Sequence, residues 1–328
     1  MSEPVDAVAA RRNVLVFREL PSDQLARLEA AHDVVVANPR VEAQRDAFFA
    51  ALPQAEALIG SSFRIDEPVL ALAPRLEVVS SISVGVDNYD IAALKRRGIV
   101  LCHTPGVLTE TTADTIFALV MATSRRLVEL ALHVREGRWT RNIDESLFGW
   151  DVQGKTLGIL GFGRIGQAVA RRAALGFGMP VLYHNPVPAE VPALAGLVQH
   201  VSLDTLLAQS DIVALTLPLT DDTRGLMNAR RFAQMKPGAI FVNGSRGAIV
   251  DEEALLGALD TGHLRAAGLD VFAVEPLPRS SPLRNHPRVT ALPHIGSATH
   301  ETRHAMAVLA TSNLLQALAG ERPEASVT

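Results

Sequence analysis

TLGILGFGRIGQAVARRAA, residues 156–174, decides how this chain folds. An apolar run ends at Gly161, Gly163 and Gly166, spaced G-x-G-x-x-G, and the residues after it turn to helical spacing. Each glycine meets a different demand. Gly161 permits a tight turn, Gly163 lets backbone approach a pyrophosphate, and Gly166 lets a helix pack closely on the strand. Arg164, Ile165 and Gly166 then open a helix whose N–H groups and dipole favour phosphate oxygens. Strand, loop and helix in this order predict a dinucleotide-binding βαβ unit.

The next strand candidate, 180–185, ends at His184 and Asn185. An acidic residue there would bind the ribose 2′-hydroxyl of NAD and repel a 2′-phosphate. None is present, which favours NADP(H), with NAD(H) as the alternative. Arg164, His184 and Asn185 are the candidate phosphate partners. Pro186 occupies the place where an attracting Arg would be expected.

Outward from this unit, apolar runs alternate with helical spacing. Strand candidates are 14–17, 57–60, 78–83 and 99–102 on the N-terminal side. After the glycine loop they are 212–218, 239–245, 266–272 and 289–294. This alternation predicts an α/β protein with two parallel-sheet domains and a cleft between them, ligands gathering at the carboxyl ends of the strands. Between the blocks, Ile116, Leu119, Val120, Leu127, Leu130 and Val134 keep helical spacing, predicting one long helix ending near Gly137.

The totals narrow the class. The 328 residues suit two domains, and 48 % hydrophobic with 20 % charged residues is ordinary for a globular enzyme. A net charge of −4 without a basic block argues against nucleic acid and membrane surfaces as partners. Cys102 is the only cysteine, so an internal disulfide is impossible and a cytoplasmic location is expected. The opening MSEPVDAVAARRN has no apolar h-region and reads as a disordered leader.

One stretch points elsewhere. His300-Glu301-Thr302-Arg303-His304 spells H-E-x-x-H, a zinc-peptidase helix. A catalytic zinc needs a third ligand, and the only acids downstream are Glu321 and Glu324, in a polar tail read as frayed. Ser297 or Thr299 can cap a helix starting here. No metal is expected.

GILGFGRIG, NGSRGAIVDEEAL, AAGLDVFAVEPLP and LPHIGSATHETR stand in an order and spacing that resembles the D-isomer-specific 2-hydroxyacid dehydrogenases over nearly the whole chain. The chain is most similar to the bacterial branch acting on glyoxylate, hydroxypyruvate and 2-ketogluconate. The resemblance implies a Rossmann-type cofactor domain, 103–294, and a flavodoxin-like, discontinuous substrate domain, 1–102 plus 295–328. It implies a catalytic trio of Arg246, Glu275 and His294, with Val84 and Gly85 offering backbone N–H groups to the substrate carboxylate. Asp270 would bind the nicotinamide carboxamide, Thr112 and Pro218 would line the cofactor path, and Arg303 would face the substrate entrance.

The chemistry agrees with these residue types. Adding hydride to C2 of a 2-keto acid requires a proton for the carbonyl oxygen, which an imidazolium supplies. Glu275 would favour that charged ring, and Arg246 offers a planar fork to a carboxylate or carbonyl. The expected product is a D-2-hydroxy acid. The resemblance also implies a homodimer, in which an aromatic near 144–150 reaches the neighbouring active site. Leu147 departs from that pattern, leaving Phe148, Trp150 or a wider pocket. Two other functions remain open: an NAD(H)-dependent dehydrogenase of another D-2-hydroxy acid, and a dinucleotide-sensing, corepressor-like binding protein.

Overall fold

The computed structural model describes residues 10–328. The leader expected at the N-terminus falls, for residues 1–9, outside the described residues. From Arg11 onward the chain is held: Arg11 pairs with Asp33 and Arg12 with Glu56. The chain divides into two compact units. One runs to Leu108 and resumes from Thr299 to Thr328; the other is Thr109–Ala298. The breaks thus fall at 108/109 and 298/299, where the sequence reading put them at 102/103 and 294/295.

The first unit holds β1 (Asn13–Val16), β2 (Asp33–Val36), β3 (Ala57–Gly60), β4 (Val78–Ser81) and β5 (Val100–Cys102). They pair in parallel in the order β2-β1-β3-β4-β5, the flavodoxin-like arrangement. Leu15, Leu58, Val79 and Leu101 point into its core. β2 was not foreseen: Val35 and Val36 lie exposed on the sheet edge, so no buried apolar run announces it.

The second unit holds β6 (Leu157–Leu160), β7 (Val181–His184), β8 (Val198–His200), β9 (Ile212–Leu215), β10 (Ala239–Asn243), β11 (Leu264–Leu269) and β12 (Val289–Ala291). Their order, β12-β11-β10-β9-β6-β7-β8, is doubly wound about β6, as in a Rossmann fold. Apolar clusters cover both faces, so the inner strands read as continuous hydrophobic runs. β8, on the edge and mostly polar, was also missed.

The predicted long helix is two. Helix Thr109–Ser124 buries Ile116, Leu119 and Val120, whereas helix Leu127–Arg135 buries nothing among the described residues. The break is at Arg126, with φ of +55°. Its guanidinium donates to the Ser146 carbonyl (2.6 Å) and pairs with Glu129, while Trp150 N–H donates to the Ser124 carbonyl at 2.9 Å. Trp150 N–H thus takes the Ser124 carbonyl that a continuous helix would pair with Val128 N–H.

Helix His300–Leu318 starts where expected, capped by Thr299 Oγ1 on Thr302 N–H. Its carboxyl continuation is not frayed. Val327 N–H donates to Leu101 O at 2.7 Å and Thr328 Oγ1 to Ile99 O at 3.0 Å, docking the tail along β5. His304 pairs with Asp23 at 2.9 Å, and among the described residues no group of His, Cys, Asp and Glu is arranged to hold a metal. Among the described residues, no helix is long and apolar enough to cross a membrane.

Candidate active site

The carboxyl edge of the seven-stranded sheet carries nearly all the residues singled out from the sequence. Along it stand His184 at the end of β7 and Asn185 after it, Gly161 after β6, Pro218 after β9, Arg246 after β10, Asp270 and Glu275 after β11, and His294 after β12. From β7 to β12 is five strand spacings, about 24 Å at ~4.8 Å each.

The glycine loop is built for close approach. Gly161 has φ of +93°, and a Cβ there would lie 2.8 Å from Leu217 N. A Cβ on Gly166 would lie 2.3 Å from the Gly161 carbonyl oxygen, so helix and strand pack only with glycine in place. Gly163 faces open space. Helix Arg164–Arg171 has Gly163 as its N-cap, without a side-chain cap, so its first N–H groups are left for an anion.

Asn185 does something the sequence did not reveal. Its Oδ1 accepts from Phe162 N–H at 2.7 Å, tying the end of β7 to the glycine loop. Its amide N–H2 remains as a donor. His184 Nδ1 meets the Val201 carbonyl at 2.9 Å and His200 Nε2 meets the Asn185 carbonyl at 3.0 Å. A carbonyl only accepts, so each of these nitrogens carries its proton. The two rings lie nearly parallel, 6.1 Å apart.

Three loops converge at the other end. His294 Nδ1 lies 2.6 Å from Glu275 Oε2, and Glu275 Oε1 accepts from Phe272 N–H at 3.0 Å. An ionised carboxylate only accepts, so Nδ1 is protonated and Nε2 is the nitrogen turned to other chemistry. Burial pushes the Glu275 carboxyl up, but the His294 hydrogen bond, the Phe272 N–H and the charges of His294 and Arg246 outweigh it and hold the group below its ordinary range.

His294 has φ of +55°, a left-handed conformation uncommon outside glycine. The chain is held there by the next two residues. Ile295 N–H and Gly296 N–H donate to the two oxygens of Asp270 at 2.7 and 2.8 Å. Asp270 is 2 % exposed, and burial raises its carboxyl above the ordinary value despite these bonds. Thr112, buried in its helix, packs beside Gly296: a Cβ there would meet Thr112 Cγ2 at 3.4 Å.

Arg246 is positioned by a residue that sequence reasoning passed over. Asn243, 1 % exposed at the end of β10, donates from Nδ2 to the Arg246 carbonyl at 3.1 Å. Its Oδ1 accepts from Ser245 N–H at 3.0 Å, and its own carbonyl accepts from Asp270 N–H at 2.9 Å. The signal available was an Asn at a strand end just before Gly-Ser-Arg-Gly. Gly247 is needed for the same loop, because a Cβ would fall 1.8 Å from the Phe272 carbonyl carbon.

Val84 and Gly85 belong to the other unit, beyond β4. Carbonyls there are occupied: Ser83 O by Thr104 N–H, Val84 O by His103 Nδ1, Gly85 O by Ser83 Oγ. Among the described residues neither Val84 N–H nor Gly85 N–H has a protein acceptor, which suits the loop to an anionic oxygen. Of the aromatic candidates, Trp150 is covered by Arg265, whose guanidinium carbon lies 4.4 Å from the ring centroid, whereas Phe148 is 50 % exposed.

Comparison with known proteins identifies the family and the fold. Residues 117–296 match the family described as D-isomer specific 2-hydroxyacid dehydrogenase, NAD binding domain. A glyoxylate/hydroxypyruvate reductase B from Yersinia pestis (strain Pestoides F) is 49 % identical over 308 residues, 94 % of each chain. The crystal structure of the TT0316 protein from Thermus thermophilus is 46 % identical, with a TM-score of 0.87 over 96 % of this chain and all of that one. An NADPH-dependent glyoxylate/hydroxypyruvate reductase from Sinorhizobium meliloti, solved with NADP and malonate, is 33 % identical with a TM-score of 0.86 over 97 % of each chain.

Proposed function

The chain belongs to the D-isomer-specific 2-hydroxyacid dehydrogenases, and on that premise we propose that it reduces small 2-keto acids, namely glyoxylate, hydroxypyruvate and 2-keto-D-gluconate, to D-2-hydroxy acids with NADPH in preference to NADH. The observation that carries this reading is the 2.6 Å contact of His294 Nδ1 with Glu275, on the edge that also bears Arg246 and the glycine loop. The uncapped helix at Arg164 and the open space at Gly163 fit a pyrophosphate.

A nicotinamide cofactor, when bound, would supply the hydride for C2 of the substrate. His294 gives the carbonyl oxygen its proton from Nε2. Glu275 fixes the ring's orientation and tautomer through Nδ1. Arg246 holds the substrate carboxylate or carbonyl, and the N–H groups of Val84 and Gly85 take the carboxylate. Thr112, Pro218 and Asp270 belong to the cofactor side of the site. The first unit is then the substrate domain and the second the cofactor domain.

NADPH preference rests on the absence of a carboxylate at Asn185, with the Asn185 amide, His184 and Arg164 as partners for the 2′-phosphate. NADP in the Sinorhizobium relative supports it. A homodimer is supported by helix Leu127–Arg135, where Leu127 is 51 % and Val134 55 % exposed and Leu132 is exposed too, with Phe148 bare nearby.

The test is consumption of NADPH and NADH, followed side by side by absorbance with each of the three acids. Faster turnover with NADPH is expected. Preference for NADH would assign Asn185 to the ribose hydroxyls, and no turnover with any pair would overturn the reductase reading in favour of another acid or a dinucleotide sensor.

A further inference from the structure

The carboxyl edge of the first unit's sheet carries a basic group that the reaction above does not use. Beyond β1 stands Arg18, whose Nη1 donates to Ser61 Oγ at 2.6 Å and Ser62 Oγ at 3.0 Å. Both serines follow β3, and Ser62 is turned back by a φ of +63°. Among the described residues no carboxylate pairs with Arg18. Burial, then the charges of Arg303 and Arg40, hold its pKa below the ordinary arginine value. The Arg18 guanidinium, seated between two serines, is half-buried. A guanidinium has five N–H donors, and the serines take only those of Nη1.

Strand register fixes where this group sits. Val16 pairs with Ile59, which puts Arg18 beside Ser61; Gly60 pairs with Ser81, which puts Ser61 beside Ile82. The ladder continues there, with Ile82 N–H on Gly60 O at 2.8 Å. One strand spacing, about 4.8 Å, thus separates Ser61 from the chain entering Val84 and Gly85. A substrate carboxylate held at Val84 and Gly85 leaves groups a few bonds away within reach of Arg18.

We propose that Arg18, seated on Ser61 and Ser62, is a specificity-determining residue that binds acceptor oxygens at the far end of a 2-keto acid. This rests on the substrate reading above. The ligand chemistry is a hydroxyl or carboxylate oxygen beyond C2, which glyoxylate lacks. Arg18 acts on binding of the longer acids and takes no part in proton or hydride transfer.

The experiment measures kcat and KM of the full-length enzyme with NADPH for glyoxylate, pyruvate, hydroxypyruvate, 2-keto-D-gluconate and oxaloacetate. Wild type is compared with Arg18→Gln, Arg18→Lys and Arg40→Gln. Arg18→Gln should lower kcat/KM for the oxygen-bearing acids about 10-fold more than for glyoxylate and pyruvate, chiefly through KM, as expected for one lost charge-assisted hydrogen bond. Arg18→Lys should recover part of the loss. A loss confined to oxaloacetate identifies the ligand oxygen as carboxylate; a loss with hydroxypyruvate and 2-keto-D-gluconate identifies it as hydroxyl. Equal loss on all five acids means that Arg18 only supports the fold, and overturns the proposal. Should Arg18→Gln fail to fold, the exposed Arg40→Gln gives the same ratio, expected to move in the same direction by a smaller factor; an unchanged ratio there overturns the proposal too. Wild type inert towards all five acids would instead overturn the reductase reading itself.

Discussion

Replacing Asp270 with Asn changes one carboxylate oxygen to an amide nitrogen and leaves the shape alone. In the native chain both oxygens are used, on Ile295 N–H at 2.7 Å and Gly296 N–H at 2.8 Å, within a site 2 % exposed. An Asn can accept only one of these. The other N–H then faces an N–H2 group, and a buried donor left unsatisfied costs about 1–3 kcal/mol. Removing a buried charge offsets part of this, since burial already raises the Asp270 carboxyl. The net loss should lie near the lower half of that range, about 1–2 kcal/mol. For a unit of this size each kcal/mol corresponds to about 2–4 °C, so the melting temperature should fall by about 2–8 °C. Turnover should fall more than stability implies, because the freed residues follow His294 directly and hold its φ of +55°. The assays are thermal unfolding and steady-state reduction of glyoxylate on the same preparation. A variant that melts with wild type and turns over as fast would refute the argument that Asp270 holds the His294 loop.

Three further outcomes are expected. Glu275 has a depressed carboxyl, so its contribution to stability is fully present above the unfolded value, near pH ~4.3, and is lost as pH falls through the lower folded value; Glu275→Gln should flatten that part of a melting-temperature profile taken from pH 7 to pH 3, and an unchanged profile would contradict it. His294→Ala should still bind NADPH, measured by fluorescence titration, while turnover drops by about 10²–10⁴-fold, the usual worth of a general acid; near-normal turnover would remove His294 from proton transfer. Asn185→Asp keeps an acceptor for Phe162 N–H, now 2.7 Å from Oδ1, but sets a negative charge against a 2′-phosphate, so the ratio of kcat/KM for NADPH over NADH should fall by about 10-fold or more; a steady ratio would place the 2′-group elsewhere.

Much of the fold was legible because its signals are local. Inner strands such as β9 and β10 are buried on both faces, so each reads as an apolar run. The loop at Gly161, Gly163 and Gly166 reads from three glycines alone, each excluded from bearing a side chain or left open for a ligand. Arg246, Glu275 and His294 were named from the motifs around them, each at or just beyond the end of a strand that periodicity had already located.

Other features depend on partners far along the chain, and no window of sequence holds both halves. The helix break at Arg126 is held by Ser146, Phe148 and Trp150, twenty or more residues on. The docking of the C-terminal tail needs β5, more than two hundred residues earlier. β2 and β8 lie on edges, where one-sided pairing leaves little apolar signature. The sequence by itself determined the parallel α/β class and the candidate residues for the chemistry, since burial and backbone freedom are written into residue identity. Only the tertiary structure decided which polar atom meets which: that Asn185 turns its oxygen to the glycine loop, that Asp270 holds the chain after His294, and that Asn243 holds Arg246. A buried polar group must find its partner, and the partner is chosen by the approach of separate loops rather than by neighbours in sequence.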